Sequence, residues 1–268
     1  MKRVVLILAG GSGTRLRPLS SEENPKQFLK IFDGRSLLQK TAARVDGVAD
    51  AIYISTNDAY ADKCREHVPG VPVLTEPARR NTAPAIALCC FEIEAREGEC
   101  VVAALASDHY IADEDEFRRL LARAYDFAER DDSLVAIGIR PTEPNTGYGY
   151  LELGAEIERG VQRVIRFTEK PSRETAEQFL QRGNYAWNAS MFVWRTSVFR
   201  RELERAAPQI ARVTRANYES MPSISIDYAL MEKTTNVASL LGDFGWSDVG
   251  SFEALEHVGI NVAALLPR

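Results

Sequence analysis

The stretch that decides the fold is Val4-Val5-Leu6-Ile7-Leu8-Ala9-Gly10-Gly11-Ser12-Gly13-Thr14-Arg15-Leu16-Arg17-Pro18, an apolar run that leads directly into a glycine-rich loop. An apolar run without polar alternation is typical of a strand that is covered on both faces, as in a parallel sheet. The glycines that follow let the backbone pass close to a ligand, with N–H groups free to face phosphate oxygens. The stretch therefore predicts a buried first strand that ends in a phosphate-binding loop.

Similar apolar runs alternate with helical patterns along the first half of the chain. Runs at 51–55, 100–106 and 134–139 predict three further buried strands. Helices are predicted at 36–45 and 114–130, the second with Asp113 and Glu116 placed to cap its start. Strand–helix alternation of this kind predicts an α/β fold with a Rossmann-like, doubly wound sheet and right-handed crossovers.

The pattern changes after about residue 140. Strands are predicted at 148–153 and 161–169, divided by Gly154 and Gly160, followed by a short helix between a Ser172 cap and Gly183. These strands suggest a small antiparallel insertion over the carboxyl edge of a mixed sheet. We expect a single domain over residues 1–268, with a nucleotide-binding half at about 1–140 and a substrate half at about 141–252.

Composition and charge exclude several classes of protein. The 268 residues are 45% hydrophobic and 26% charged, which is ordinary for a soluble globular chain. A net charge of −5 argues against a dedicated nucleic-acid binder, because such a protein usually presents a basic face. No stretch approaches the ~20 apolar residues of a membrane span. Small anionic substrates stay open, since a local cluster of Lys and Arg suffices to bind them.

The cysteines favour a reducing compartment. They lack the C-x-x-C spacing of a zinc site, so buried, reduced thiols in a cytoplasmic protein are the simpler interpretation. The residues concerned are Cys64, Cys89, Cys90 and Cys100.

Two common phosphate loops do not fit the glycine-rich stretch. The lysine of a Walker loop is missing, and Leu16 stands where a dinucleotide fingerprint has its third glycine. The stretch has its own cations instead, Arg15 and then Lys26, which beside a glycine cradle predict a triphosphate site. A helix beginning just beyond the loop would add positive potential. The alternative is a plain strand–turn junction with surface cations.

The loop and Pro25-Lys26-Gln27 together resemble the signature of the sugar-1-phosphate nucleotidyltransferases. Later segments narrow the resemblance to the bacterial mannose-1-phosphate guanylyltransferases, and the similar region runs from residue 4 to about 252. Those segments are Glu76-Pro77, Arg80-Asn81-Thr82-Ala83-Pro84-Ala85, Ala106-Ser107-Asp108-His109, Phe167-Thr168-Glu169-Lys170-Pro171, Ser225-Ile226-Asp227-Tyr228-Ala229-Leu230-Met231-Glu232-Lys233 and Trp246-Ser247-Asp248-Val249-Gly250.

The resemblance implies that GTP and mannose 1-phosphate react to GDP-mannose and diphosphate with Mg²⁺ as cofactor. A phosphate monoester is already mostly dianionic at pH 7, so no general base is needed, and cations dominate the chemistry. Arg15 is expected to stabilise the leaving phosphates, Lys26 to contact the triphosphate and Lys170 to hold the sugar phosphate. The metal ligands would be Asp108 and Asp248.

The resemblance also assigns the remaining site residues. The residues that it implies bind the nucleotide are Gly10, Gly11, Gly13, Thr14, Arg80, Asn81, Thr82 and Ser107. The second half of the domain becomes a sugar-phosphate half, with Gly147, Glu169, Asn188 and Asp227 as its binding residues.

Structural roles compete with several of these assignments. Asp108 also suits a helix cap and Asp248 a turn, while Asn81 or Thr82 suits the cap of a helix at 84–95. Asp227 suits the cap of a helix at 228–233 equally well. We interpret His109 as a packing residue, and Trp187, Trp194 and Trp246 as core or pocket wall.

The sequence departs from the family pattern at three places. Arg17 stands where relatives often carry Trp, and Ala189-Ser190 replaces the usual Ser-Gly after Trp-Asn. Many relatives continue into a C-terminal β-helical region that supports dimerisation, whereas only residues 251–268 follow Gly250 here. We therefore expect a short C-terminal tail without that extension, and a homodimer would need another surface.

Three other functions stay open at this stage. One is the same chemistry with a different sugar 1-phosphate or nucleoside triphosphate. Another is a non-catalytic regulatory subunit that binds the nucleotide sugar, which the intact set of cations and aspartates disfavours. The third is a dinucleotide-dependent oxidoreductase, which Leu16 disfavours.

Overall fold

The computed structural model of the protein describes residues 1–11 and 13–265. In chain order its elements are β1 (Lys2–Leu8), α1 (Leu37–Arg44), β2 (Ala51–Asn57), α2 (Ala61–His67), β3 (Val73–Glu76), α3 (Thr82–Glu97), β4 (Cys100–Ala106), β5 (Tyr110–Ile111), α4 (Glu114–Arg130), β6 (Leu134–Ile139), β7 (Tyr150–Glu158), β8 (Val161–Thr168), α5 (Arg173–Arg182), β9 (Tyr185–Arg195), α6 (Thr196–Ala206), β10 (Val237–Gly242), β11 (Trp246–Ser247), α7 (Phe252–His257) and α8 (Val262–Leu265).

Nine of the described strands form one mixed sheet in the order β3-β2-β1-β4-β9-β6-β10-β8-β7. Strands β3, β2, β1 and β4 run parallel to one another, and β6 runs parallel to β10. Strand β9 lies antiparallel between β4 and β6. The predicted α/β fold with a mixed sheet is confirmed.

The first strand shows why the sheet is covered on both faces. Val4 and Leu6 pack in one apolar cluster with Ile86 of α3. Val5 and Ile7, which point the other way, pack in a second cluster with Leu120 of α4. Side chains alternate across a strand, so an unbroken apolar run supplies both layers. The predicted bounds of β4 and β6 are confirmed, and β1 and β2 extend beyond the predicted runs.

The predicted antiparallel strands are confirmed as the hairpin of β7 and β8, which continues the main sheet through β10 and β9. The prediction that Gly154 divides the strands is wrong, since β7 runs through it to Glu158. A Cβ at Gly154 would lie 2.9 Å from Cγ1 of Ile165, so this glycine permits close packing across the hairpin. Gly160, with a φ of 76°, lies in the turn.

The helix caps follow the sequence pattern closely. Asp113 Oδ1 accepts from the Glu116 N–H at 2.8 Å and begins α4, whose bounds are those predicted. Ser172 Oγ accepts from the Thr175 N–H at 3.3 Å, and Gly183 ends α5 in a left-handed conformation. Within residues 1–11 and 13–265, no helix has the length and apolar character needed to cross a bilayer.

Within the described part of the chain the four cysteines are free and buried, as predicted. Burial raises the pKa of Cys64 and Cys100 to about 11 and that of Cys89 to about 12, which keeps these thiols protonated and unreactive at neutral pH.

Candidate functional site

The glycine-rich loop begins at the carboxyl edge of the parallel strands. Its first residues are held by Gln27, whose Nε2 donates to the main-chain oxygens of Ala9 and Gly11, both at 2.9 Å. Gln27 is buried, so these bonds fix the path of the loop. The Ser107 N–H donates to Leu8 O at 3.1 Å, which places Ser107 beside the start of the loop. The sequence motif contained Gln27, but its role as a clamp was missed.

Gly13 brings the loop against Lys26. Its φ is 61°, and a Cβ there would lie 2.4 Å from the Lys26 main-chain nitrogen, so no side chain fits. Ser20 Oγ donates to Gly13 O from the other side. The expected helix beyond the loop is wrong, because Thr14–Leu16 forms only a single 3-10 turn. Arg15 on this turn exposes 77% of its side chain.

Lys26 joins the two predicted metal ligands. Its Nζ lies 2.9 Å from Asp108 Oδ2 and also donates to the main-chain oxygen of Asp248. Only 8% of the Lys26 side chain is exposed, so the contact is largely shielded from water. Burial is the largest single influence on Asp108 and works against its ionisation, but the charge and hydrogen bond of Lys26, together with further positive neighbours such as Arg15, outweigh it and lower the pKa of that carboxyl. The three residues therefore form a charged centre of fixed geometry.

A short antiparallel pair of strands explains why the two aspartates meet. Tyr110 and Ile111 of β5 pair with Ser247 and Trp246 of β11. Asp108 lies two residues before β5, and Asp248 follows β11 directly, so the pairing carries one towards the other. The helix-cap alternative for Asp108 is wrong, because Asp113 caps α4.

Asp248 serves both the turn and the charged centre. Its Oδ1 accepts from the Gly250 N–H at 3.1 Å and from Tyr148 Oη at 3.0 Å. Its Oδ2 lies 4.0 Å from Arg15 Nη1, which places Arg15 at the edge of the same centre. Burial, together with the Asp248 charge, raises the pKa of Tyr148, so its phenol stays a donor. The sequence reasoning missed Tyr148, although its place between two glycines is a signal of close packing.

The predicted sugar-phosphate residues form a second cluster. Lys170 Nζ contacts Glu169 Oε1 at 2.6 Å, and Asn188 Nδ2 donates to Asp227 Oδ1 at 3.0 Å. Burial lowers the pKa of Lys170, but the Glu169 hydrogen bond and the acidic charges prevail and raise it. Burial and the Glu169 charge raise the pKa of Asp227 to about 6. The cluster thus combines donors and acceptors suited to hydroxyl groups with one exposed cation.

Asp227 does not cap the helix that follows it. The predicted helix at 228–233 is a π-helical turn over Asp227–Met231, so Asp227 lies inside it. The side chain that accepts from the Tyr228 N–H, at 3.4 Å, is Ser225 Oγ. The Asp227 side chain is free to bond with Asn188 and to face the cluster.

Residues 147–149 connect the two clusters. Tyr148 contacts Asp248 of the charged centre, as described above, while the Asn188 N–H donates to Gly149 O at 2.8 Å. A Cβ on Gly149 would lie 2.5 Å from Glu169 Oε2, so this glycine permits a close approach to the second cluster, whereas a Cβ on the predicted Gly147 would lie 3.1 Å from Asn145 Oδ1. The Gly147 N–H donates to Asn145 Oδ1 at 2.8 Å.

The predicted base-binding loop Arg80–Thr82 is fastened to residues 219–226. The Ile224 N–H donates to Arg80 O at 3.3 Å, the Ile226 N–H donates to Thr82 Oγ1 at 2.8 Å, and Arg80 Nη2 donates to Glu219 O. Asn81 Oδ1 accepts from the Thr82 N–H at 2.8 Å, which confirms Asn81 as the cap of α3.

Glu76 places this loop beside the glycine-rich loop. Its carboxylate accepts from Tyr218 Oη and hydrogen-bonds to the main chain of Arg80, and burial raises its pKa. A Cβ on Gly10 would lie 3.0 Å from Glu76 Oε1. The Glu76 side chain therefore lies where the two predicted nucleotide-binding segments meet, although the sequence reasoning gave it no role.

His109 and the tryptophans have the packing environments that we expected. His109 Nδ1 accepts from Trp246 Nε1 at 3.1 Å, and burial lowers the pKa of His109 to about 4, so the ring is neutral at pH 7. Trp194 is fully buried in the core. Trp187 and Trp246 line a cavity of about 880 Å³ that also touches Arg15 and Asp248.

That cavity covers only one side of the predicted site. It extends from Arg15 and Asp248 towards α7, and its lining includes Gly147 and Tyr148. The base-binding loop and the cluster around Glu169 lie outside it. The predicted site therefore extends beyond this cavity, which borders it at Arg15 and Asp248.

Backbone strain is concentrated around these residues. Of the five described non-glycine residues with positive φ, four belong to or adjoin the predicted site. A β-branched side chain is a pronounced outlier there, and Val249 follows a predicted metal ligand directly. Strain of this kind persists where the surroundings impose it and is commonly found at functional sites. The four are Asn81, Lys170, Ser190 and Val249.

The donor set at the charged centre fits Mg²⁺ better than a soft metal. No group of three or more His, Cys, Asp or Glu side chains that could hold an ion occurs in residues 1–11 and 13–265. Mg²⁺ needs only one or two carboxylates when substrate phosphates and water complete its shell. Asp108 and Asp248 provide that number.

We expect Asp227→Asn to change how stability depends on pH. The folded pKa of about 6 lies above the ordinary 3.8, so between these values the folded protein keeps a proton that the unfolded chain releases. The free energy of unfolding of the wild type should fall by up to about 3 kcal/mol as pH rises through that window. The free energy of unfolding of Asp227→Asn should not show this decrease. Denaturant unfolding from pH 4 to 7 measures it, with the exposed Asp243→Asn as control, and parallel curves for wild type and Asp227→Asn would contradict it.

The mixed α/β fold belongs to the doubly wound class, and at its carboxyl edge it carries a clamped glycine loop and a buried lysine that is bonded to the Asp108 carboxylate and to the main-chain oxygen of Asp248. The chain belongs to the nucleotidyl transferase family, whose profile matches residues 4–264. The resemblance noted from the sequence motifs is thereby confirmed.

Relatives and solved structures agree with this membership. The chain is 41% identical over 94% of its length to xanthan biosynthesis protein XanB of Xanthomonas campestris pv. campestris (strain B100). It is 39% identical over 95% of its length to mannose-1-phosphate guanylyltransferase of Sinorhizobium fredii. The chain spans 58% of the first relative and 54% of the second, a little over half of their length.

A crystal structure described as mannose-1-phosphate geranyltransferase from Thermus thermophilus superimposes with a TM-score of 0.89 at 36% identity. The match covers 96% of this chain and 79% of that one.

Proposed function

We propose that the protein transfers GMP from GTP to mannose 1-phosphate, giving GDP-mannose and diphosphate. The observation that carries the proposal is the convergence of Lys26, Asp108 and Asp248 from three distant segments beside a glycine loop. The names of its relatives support this choice of substrates. The central physical problem of such a reaction is to bring two anions together, and a fixed cation meets it together with the metal ion that the carboxylate pair would hold.

In the proposed reaction an oxygen of the mannose 1-phosphate attacks the α-phosphorus of GTP. A new P–O bond forms there, and the bond from the α-phosphorus to the oxygen bridging to the β-phosphate breaks, so diphosphate leaves with that electron pair. Lys26 neutralises charge on the triphosphate, since its Nζ lies within the centre. Arg15, on an exposed turn, reaches the leaving phosphates with a planar guanidinium that can bind two oxygens at once.

Asp108 and Asp248 would hold Mg²⁺ in this proposal. When bound, the ion supplies charge neutralisation and alignment of the phosphates. Lys26 already balances Asp108 in the protein, at 2.9 Å, so this carboxylate is kept ionised and ready to act as a ligand.

The two clusters divide the substrates between them. The loop with Gly10, Gly11, Gly13 and Thr14 receives the triphosphate, with Ser107 beside it, and the loop Arg80–Thr82 receives the base. Glu169, Asn188 and Asp227 face the sugar, and Lys170 holds its phosphate. Gly147 borders the recess near Asp248.

We also propose that residues 1–268 act as one domain, in which about 1–140 bind nucleotide and about 141–252 bind the sugar phosphate. Strand β9, from the second half, is inserted between β4 and β6 of the first, so the sheet is continuous across both. The buried free thiols suit a reducing, cytoplasmic setting.

Diphosphate release across a panel of substrates tests the activity. GTP with mannose 1-phosphate should give at least a tenfold higher kcat/KM than UTP, dTTP, CTP or ATP, or than other hexose 1-phosphates. A higher value for another pair would favour the same chemistry on that pair. Binding of GDP-mannose without any release would favour a regulatory subunit instead.

Lys170→Ala is expected to change KM for one substrate and not for the other. The Lys170 side chain is 55% exposed and bonded to Glu169, so its loss should leave the nucleotide loop intact. We expect KM for mannose 1-phosphate to rise about tenfold, because one charge-assisted contact is lost, and KM for GTP to change less than twofold. Steady-state kinetics measures both, with Lys233→Ala as control. An equal rise for both substrates would contradict the assigned role.

A further inference from the structure

Ser190 has an unusual place in strand β9. Its φ is 52°, a left-handed value that favours glycine, and its side chain is exposed while residues 188, 189, 191 and 192 are buried. Its hydroxyl forms no hydrogen bond within the described residues. An exposed hydroxyl in the middle of a core strand marks a point where the sheet is open to solvent, and this opening is called the cleft below.

The strand pairings show which cleft this is. Strand β4 pairs with β9 from Val101–Arg195 to Ala104–Phe192 and then the pairing stops. On the other side the register with β6 shifts between Ala136 and Gly138. Strand β9 therefore bulges around Ser190, next to the end of β4, whose chain continues to Asp108. Bulges are known to re-aim side chains beside active sites.

Asn188 fixes the bulge from within. It is 3% exposed, its Oδ1 accepts from the Ser190 N–H at 3.1 Å, and its Nδ2 donates to Asp227. The Asn188 side-chain amide thus uses one donor and one acceptor in hydrogen bonds within the protein. It acts as a bracket that holds Asp227 and Ser190, and these two present polar groups to the cleft.

We propose that the Ser190 hydroxyl binds a hydroxyl group of the sugar in the sugar 1-phosphate, between the charged centre and Asp227. The inference rests on the proposed function and adds a substrate contact particular to this chain, since the family pattern has glycine here. The strained backbone is kept because it turns the hydroxyl towards the substrate.

Two substitutions distinguish the effect of the Ser190 hydroxyl from the effect of the strained backbone. Ser190→Ala removes the hydroxyl and keeps the Cβ, whereas Ser190→Gly removes both. We expect KM for mannose 1-phosphate to rise about 2- to 10-fold in both variants, the effect of one hydrogen bond, with KM for GTP unchanged. Tm should rise by about 2 °C in Ser190→Gly only. Asp33→Gly, with a φ of 51° outside the site, controls for relief of strain without a change in KM.

The outcomes distinguish this inference from the proposed function. Turnover by the wild type with unchanged KM for mannose 1-phosphate in both variants overturns the role of Ser190 and leaves the function standing. Absence of turnover in the wild type overturns the proposed function. In that case calorimetric titration with mannose 1-phosphate still decides: weaker binding by both variants supports the contact, and equal binding overturns it.

Discussion

Lys26→Met is expected to lower kcat for diphosphate release by about 100- to 1000-fold, the usual effect of removing one preorganised charge from a transition state. Methionine has a similar volume, so the shielded space is refilled while the charge is lost. KM for GTP should rise as well, because the cation also contacts the bound triphosphate in our proposal. Steady-state kinetics measures both constants.

The same substitution is expected to reduce stability. Asp108 would lose the partner that lies 2.9 Å away, and a carboxylate left without its cation costs up to about 3 kcal/mol when shielded from water. The double variant Lys26→Met/Asp108→Asn should regain most of that stability and none of the activity. Lys30→Met, an exposed lysine four residues on, is the control. Wild-type kcat in Lys26→Met would refute the assignment of the charged centre.

The second large effect is expected for the two aspartates. Asp108→Asn and Asp248→Asn should each lower metal-dependent turnover by more than about 100-fold, because each removes one of the two anionic ligands that Mg²⁺ would use. The Mg²⁺ concentration for half-maximal rate should also increase. Asparagine can still accept from Tyr148 and Gly250 at position 248, so the fold around it should be retained.

Measuring the rate against Mg²⁺ concentration tests this assignment. Asp115→Asn is the matched control, since that side chain is 79% exposed on α4 and distant from the centre. Retention of wild-type metal dependence in both variants would show that the ion binds elsewhere.

The parts of the fold that could be predicted are those with a simple local cause. Strand β4 matched its predicted bounds because a strand covered on both faces must be apolar throughout. Strand β9 was not predicted, since Asn188 and Ser190 interrupt its apolar run at the bulge. Gly154 was misread as a turn because a sequence does not show whether a glycine bends the chain or admits a neighbour such as Ile165.

The charged residues of the candidate site could be predicted from the sequence, whereas the residues that hold them in place could not. Cations and carboxylates in recognisable motifs pointed to Lys26 and Asp108, but their contact depends on how distant segments pair. Gln27 and Tyr148 act through bonds to main-chain oxygens and to another side chain, and those partners are set by tertiary structure alone. Ser190 stands out only through its φ of 52° in the folded chain.

One further consequence comes from residues 219–227. This stretch anchors the loop Arg80–Thr82 at one end and carries Asp227 at the other. If the proposed roles hold, a change in this shared support would alter the base-binding loop and the sugar-binding cluster at once, so selectivity for the base and selectivity for the hexose would be coupled.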